Sequence, residues 1–153
     1  MECTMRTLLS VLLIHRSNFE VLHWKAKGRH FDSMHNNVTT NYYDMISDTV
    51  DEVAELGMRM GLVPVNYLDA YREAKNCCND IFVADASKDY SRDEIIATTD
   101  VILKNILDTL GCVLYSDTIQ NERTNVGIKA NLEGMYDKFD KELRFLNSRR
   151  HQD

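Results

Sequence analysis

One proline and six glycines are very little punctuation for a chain of 153 residues. With so few places to turn, long helices are expected rather than many short elements. Long apolar runs are missing as well. The most apolar stretch, Leu8 to Ile14, is seven residues, interrupted by Ser10 and closed by His15 and Arg16. It is too short to span a bilayer and carries no small-residue cleavage site, so neither a membrane partner nor an export signal is expected, and the expected location is cytoplasmic. Basic residues are outnumbered, 18 against 24 acidic, giving a formal charge of -6 and a pI near 5.3. Such a surface is not built to neutralise phosphates, which argues against DNA binding. The four cysteines, Cys3, Cys77, Cys78 and Cys112, show no CxxC or zinc-type spacing, and the adjacent Cys77-Cys78 pair is a poor disulfide. Free thiols in a reducing cytosol are expected.

What is present is 44% hydrophobic residues, enough for one well-buried domain over 1–153 and too little length for two. Along Thr4 to Lys27, Leu8, Leu12, His15, Phe19, Leu22 and Ala26 recur at steps of three and four, the stripe of an amphipathic helix. After Gly28, Asp32 is placed to cap a second helix whose buried stripe is Val38, Tyr42, Met45, Thr49, Val53 and Leu56, ending near Gly61. Pro64 suits the first turn of a short helix over Val65 to Lys75. The polar segment Asn76 to Tyr90 reads as a loop. Ser91 with Glu94 is a capping box, followed by Ile95, Thr99, Ile102, Ile106, Leu110 and Val113 on a helix reaching about Thr118. Asn121 to Asn125 makes the next break, and Ile128, Leu132, Met135, Phe139, Leu143 and Leu146 mark a last helix ending near Arg149. No strand pattern, internal repeat or low-complexity tract stands out. The expected fold class is all-α, a four-helix bundle with a short extra helix between the second and third long ones.

The chemistry-bearing residues are concentrated early. His23 and His35 lie twelve positions apart on either side of Lys27-Gly28-Arg29-His30, and Asp51 and Glu55 come next, one helical turn apart. Two antiparallel helices joined at that break would bring both imidazoles to the same height. The carboxylates are out of their reach: sixteen residues separate His35 from Asp51, roughly 24 Å of helix. A complete site therefore requires a second copy of the chain, and a twofold dimer would give two equivalent sites. Imidazole and carboxylate with open coordination positions suit non-haem iron, and zinc is chemically acceptable as a substitute.

The remaining candidates have plainer readings. His15 on the apolar stripe reads as a packed core residue and His30 as a turn residue. Asp44, Asp48, Asp51 and Glu55 form an acidic stripe on one side of the second helix, on which Asp44 reads as solvated and Asp48 as a further candidate ligand. Trp24, the single tryptophan, reads first as core; beside an iron site it would also serve as an oxidisable neighbour that limits radical escape, as would Tyr42 or Tyr43.

HWxxxGxxFxxxH over residues 23–35, with DEVAE at 51–55, resembles the Dps proteins (DNA-binding proteins from starved cells), the mini-ferritins of the ferritin-like superfamily. The motif is confined to residues 23–55, while the helix order resembles the family over nearly the whole chain. The resemblance implies an intersubunit ferroxidase site with His23 and His35 from one subunit and Asp51 and Glu55 from another. It also implies assembly into hollow dodecamers that oxidise ferrous iron with hydrogen peroxide or oxygen, store the ferric product and answer oxidative stress. Two departures stand out. The spacing from His35 to Asp51 is one residue longer than the family usually shows, which rotates the downstream side chains by about 100° unless a π-bulge absorbs it. The stretch NNVTTNYYD, residues 36–44, is where such a bulge is expected. Thr39 stands where an acidic residue is often found, which implies weaker metal holding or substitution by Asp48. The Lys-rich terminal tail that such proteins use for DNA is absent from MECTM, and Arg149 and Arg150 are only two charges. The alternative reading is a structural, cage-forming or interaction bundle that has lost metal chemistry; a nucleic-acid-coating protein is the third.

Overall fold

The structure, a computed structural model, describes residues 3–77, 81–121 and 126–150. Helix α1 spans Met5–Lys25. A π-helical segment, Ser33–Thr39, runs directly into α2, Thr40–Arg59. Helices α3 (Tyr67–Cys77), α4 (Arg92–Leu114), α5 (Asp117–Asn121) and α6 (Val126–Arg150) complete the chain order. The described residues contain no strand, only one isolated bridge between Ala26 and Tyr90. Helices α1, α2, α4 and α6 form the bundle, in which α1 packs on α2 and α4, and α4 on α6, while the short α3 lies against α1.

The apolar periodicities explain this packing. Leu8, Leu12, His15, Phe19 and Leu22 of α1 are fully buried, as are Ile95, Thr99, Ile102 and Ile106 of α4, and Leu132, Phe139 and Leu146 of α6. Each stripe repeats at helical spacing, so docking the stripes together removes one continuous face per helix from water. The helix starts are held chemically. The Thr4 hydroxyl accepts the Thr7 backbone N–H, and Ser91 with Glu94 forms the reciprocal capping box expected there.

The long connection from α3 to α4 is pinned near its end. Tyr90 donates its N–H to the Lys25 carbonyl at 2.8 Å and accepts from the Lys27 N–H at 2.9 Å. Lys25 and Lys27 both reach Asp89 at 3.0 Å. Deeper in, Asn18 donates to the Phe82 carbonyl at 2.8 Å and accepts the Ala84 N–H at 2.9 Å. Its amide also donates to His15 Nδ1 at 3.1 Å, and His15 Nε2–H donates to Asn105 Oδ1 at 2.6 Å. This network satisfies a fully buried imidazole in its neutral form, which is why burial pushes the His15 pKa down to about 4, against the opposing pull of the Asn105 hydrogen bond.

Several expectations are corrected. Asp32 makes no side-chain cap and already has helical backbone angles, because the helix begins a turn earlier: Phe31 N–H and Met34 N–H bond to the Gly28 and His30 carbonyls. Gly28 turns the chain with φ 104°, a left-handed value open to glycine. The short helix is Tyr67–Cys77 rather than Val65 to Lys75, starting after Asn66, whose side chain accepts the Asp69 N–H. On α2, Ile46 rather than Met45 is fully buried. Helix α4 stops at Leu114, short of Thr118, and α5 comes after it. Apart from Asn121, the break at Asn121–Asn125 lies outside the described residues, as does Cys78.

The cysteine expectation is overturned most plainly: Cys3 and Cys112 form a disulfide. Linear spacing hides this pair, 109 residues apart, because it is the bundle that carries the start of α1 and the last turn of α4 to the same end. No helix among the described residues is long and apolar enough to cross a membrane.

Candidate metal centre

The π-helical segment is where the site begins. In a regular helix the surplus residue would rotate everything beyond it; here the wider i→i+5 turns of Ser33–Thr39 take it up, overlapping the first half of the stretch expected to bulge. The threonines show why these residues favour it. Thr40 Oγ1–H donates to the His35 carbonyl five residues back at 2.7 Å. Thr39 Oγ1 lies 3.0 Å from both the Met34 and the His35 carbonyls, one of which receives its proton. Hydroxyls placed this way satisfy carbonyls that a widened turn leaves exposed, and they bend the helix.

The turn at Gly28 folds α1 back against this segment, and the two imidazoles meet. The rings of His23 and His35 stack with centroids 3.7 Å apart and planes 19° from parallel; Phe31 stacks on His35 at 4.9 Å. His35 Nδ1 lies 2.9 Å from the His23 carbonyl, which can only accept, so Nδ1 carries the proton. His23 Nδ1 faces the His35 carbonyl at 3.1 Å, Thr39 Oγ1 at 3.1 Å and Thr40 Oγ1 at 3.2 Å. Both hydroxyl protons are committed to carbonyls, so this nitrogen too is the donor. In each neutral ring the lone pair is therefore left on Nε2. Metal-binding histidines are oriented in this way, with the second nitrogen donating to a carbonyl or carboxylate.

A cavity of about 250 Å³ opens beside His23, lined by Glu20, Trp24, Thr40 and Tyr43. Trp24 is 67% exposed, which corrects the core reading: it stands one position past His23 and faces outward from the bundle. Tyr42 is buried, stacked on Phe19 at 5.6 Å, with its hydroxyl 3.4 Å from the Glu142 carboxylate. Burial, together with that carboxylate, raises its pKa above the usual tyrosine value. Tyr43 rather than Tyr42 lines the cavity beside the histidine.

Asp48, Asp51 and Glu55 are exposed on the outer side of α2, as is Asp44. None of the three makes a hydrogen bond or ion pair with a described residue. The structure does not bring them to the histidines within one chain, and among the described residues no three His, Cys, Asp or Glu side chains converge to hold a metal. His15, enclosed in its amide network, has no lone pair to spare. The residues that sequence reading missed are the ones that orient: Thr39 and Thr40, whose hydroxyls hold His23, and Phe31, which backs His35. Phe31 was visible as the phenylalanine of HWxxxGxxFxxxH and the threonines as a pair four and five positions after His35, but not what they orient. Glu20 was visible too, at i–3 from His23 on the same face.

Four long helices with a short one bridging the second and third, and a histidine pair at the first turn, define a ferritin-like four-helix bundle. The same fold is seen in solved structures of Dps proteins. The chain superposes on Dps from Staphylococcus aureus with a TM-score of 0.81 at 20% identity, covering 97% of this chain and 93% of that one. CAIP from Helicobacter cinaedi gives 0.80 at 18% identity, covering 95% of both chains. Dps92 from Deinococcus radiodurans gives 0.68 at 15% identity, covering 92% and 81%. No family model matches the sequence. An uncharacterized protein of Haemophilus influenzae is 30% identical over 101 residues, 66% of this chain; the match spans 59% of that relative's length.

Proposed function

We propose that the protein is an iron-oxidising and iron-storing mini-ferritin whose metal site is shared between two copies of the chain. The observation that carries this reading is the reciprocal histidine pair, which fixes both Nδ1 protons on carbonyls and leaves both Nε2 lone pairs available. A core histidine has no need of such an arrangement, as His15 illustrates with both ring nitrogens bonded inside the protein.

In this reading the protein acts as a homo-oligomer in the cytoplasm, the dimer as its smallest active unit and a dodecameric cage as the complete form. Ferrous iron is the substrate. His23 and His35 hold it through nitrogen, and the partner subunit's Asp51 and Glu55 supply the hard oxygen donors that favour the ferric product, with the partner's Asp48 as a further acid. The carboxylates also offset the ion's charge, and among the described residues no side chain of their own chain pairs with them. Electrons from two ferrous ions reduce hydrogen peroxide, which with two protons leaves as water; oxygen is the other acceptor. Trp24 and Tyr43, which line the cavity with His23, are oxidisable side chains beside the site. Zinc fits the same donors and would block iron. The DNA-coating reading finds no support in a chain of charge -6.

The test is anaerobic loading with Fe²⁺ and then peroxide, read as ferric absorbance. His23→Ala and Asp51→Ala should each abolish the rapid phase, and mixing the two variants should restore part of it, since one hybrid site is then intact. A wild-type protein giving only background oxidation would leave the structural-bundle reading in its place.

A further inference from the structure

Three sulfurs meet at the end of the bundle opposite the histidines, about 30 Å along α1 from His23. Cys3 lies just ahead of α1, Cys77 is the last residue of α3, and Cys112 sits in the last turn of α4. Cys3 and Cys112 are disulfide-bonded, and Cys77 Sγ lies 3.9 Å from Cys3 Sγ. Their surroundings differ. Cys3 is buried, Cys77 half-buried and Cys112 exposed. The shared sulfur is therefore screened from reagents in solution but in contact with a thiol of its own chain, and the sulfur it would release faces water.

We propose that Cys3, Cys77 and Cys112 form a thiol–disulfide exchange site, in which Cys77 opens the Cys3–Cys112 bond and frees Cys112 to take up a low-molecular-weight disulfide. The Cys77 thiol gives its proton to solvent, and its electron pair forms the Cys77–Cys3 bond. The Cys3–Cys112 bond breaks, its pair leaves on Cys112 Sγ, and solvent water can protonate that sulfur. One disulfide and one thiol are present before and after, so no outside oxidant or reductant is needed. In the second step the Cys112 thiolate attacks a small disulfide, forming a mixed disulfide and expelling one small thiolate. Burial selects the order: an incoming disulfide meets Cys112 and not Cys3. Exchange also moves the covalent tie of α1 from α4 to α3.

The experiment uses the full chain carrying Cys78→Ser, which removes the neighbouring thiol, incubated without reductant at mildly alkaline pH with glutathione disulfide as the probe. After acid quenching, peptide mass spectrometry reads the linkages. Glutathione is expected on Cys112 together with a Cys3–Cys77 disulfide, and Cys77→Ser in the same background should lower the Cys112 adduct at least about tenfold. An adduct equally abundant without Cys77, or absent from Cys112 in both proteins, would overturn the proposal. A second variant keeps the geometry testable on its own: with Cys112→Ser, mild oxidation should pair Cys3 with Cys77, and failure to do so also overturns it.

Discussion

His23 and His35 each donate a ring N–H to the other's backbone carbonyl, at 3.1 and 2.9 Å, so each imidazole is oriented by the other's main chain. Thr39 and Thr40 complete the cradle on the His23 side. Replacing both with valine removes the hydroxyls while keeping the shape, and metal affinity should fall about 10- to 100-fold, the usual effect of losing groups that orient a ligand. Co²⁺ titration read through the fluorescence of Trp24, the only tryptophan, measures this without turnover. An unchanged affinity would show that the hydroxyls do not set the ring.

The carboxylates should behave in the opposite way from structural residues. Asp51 and Glu55 stand four apart on an exposed helix face with no partner among the described residues, and like charges at that spacing repel weakly. Asp51→Asn with Glu55→Gln should leave unfolding free energy within about 0.5 kcal/mol of the wild type under metal-free conditions. The same pair should remove most Co²⁺ binding in the oligomer. Chemical denaturation alongside the titration separates the two effects.

Stability should depend on pH through His15. Its folded-state pKa, about 4, lies below the ordinary histidine value of 6.5, so between those values the unfolded chain binds more protons here than the folded one. Stability from this group is complete above pH 6.5 and is lost as pH falls toward 4, by about 3 kcal/mol in all. Urea midpoints measured across that window should fall with acidification. His15→Gln should lower stability throughout and flatten the slope, and a slope unchanged by that substitution would assign the dependence to other groups.

The Ser91 and Glu94 capping box holds the start of α4. Ser91→Ala should cost about 1 kcal/mol, because a helix-end N–H loses its acceptor. Thermal unfolding of the variant checks the size.

The helices were legible because their stripes are long: Ile95 through Val113 repeats over five turns, and nothing else fits that spacing. Where local pattern is ambiguous the reading slipped by one position, as with Met45 for Ile46, two apolar neighbours of which only packing chooses one. The histidine pair was legible because a hairpin about Gly28 has only one way to fold back. The wide turn was signalled by arithmetic, one residue too many before Asp51. Its hydroxyl cradle was not, since it depends on which carbonyls the widening exposes. Trp24 was misjudged because large apolar side chains are usually inside, and its outward stance comes from the phase of α1, on which Leu22 takes the inward position beside it. The Cys3–Cys112 bond joins elements that are remote in the chain, and no spacing rule reaches that far.

The loosened coil at Ser33–Thr39 also bears on how this chain tolerates change. A helix that already accommodates a surplus residue in one place can lose it there again by tightening to the ordinary pitch, while Val53 and Leu56 downstream keep their inward seats. Length variation in relatives of this protein should accordingly collect within that one segment, and the two halves of the long helix on either side should be inherited as fixed blocks.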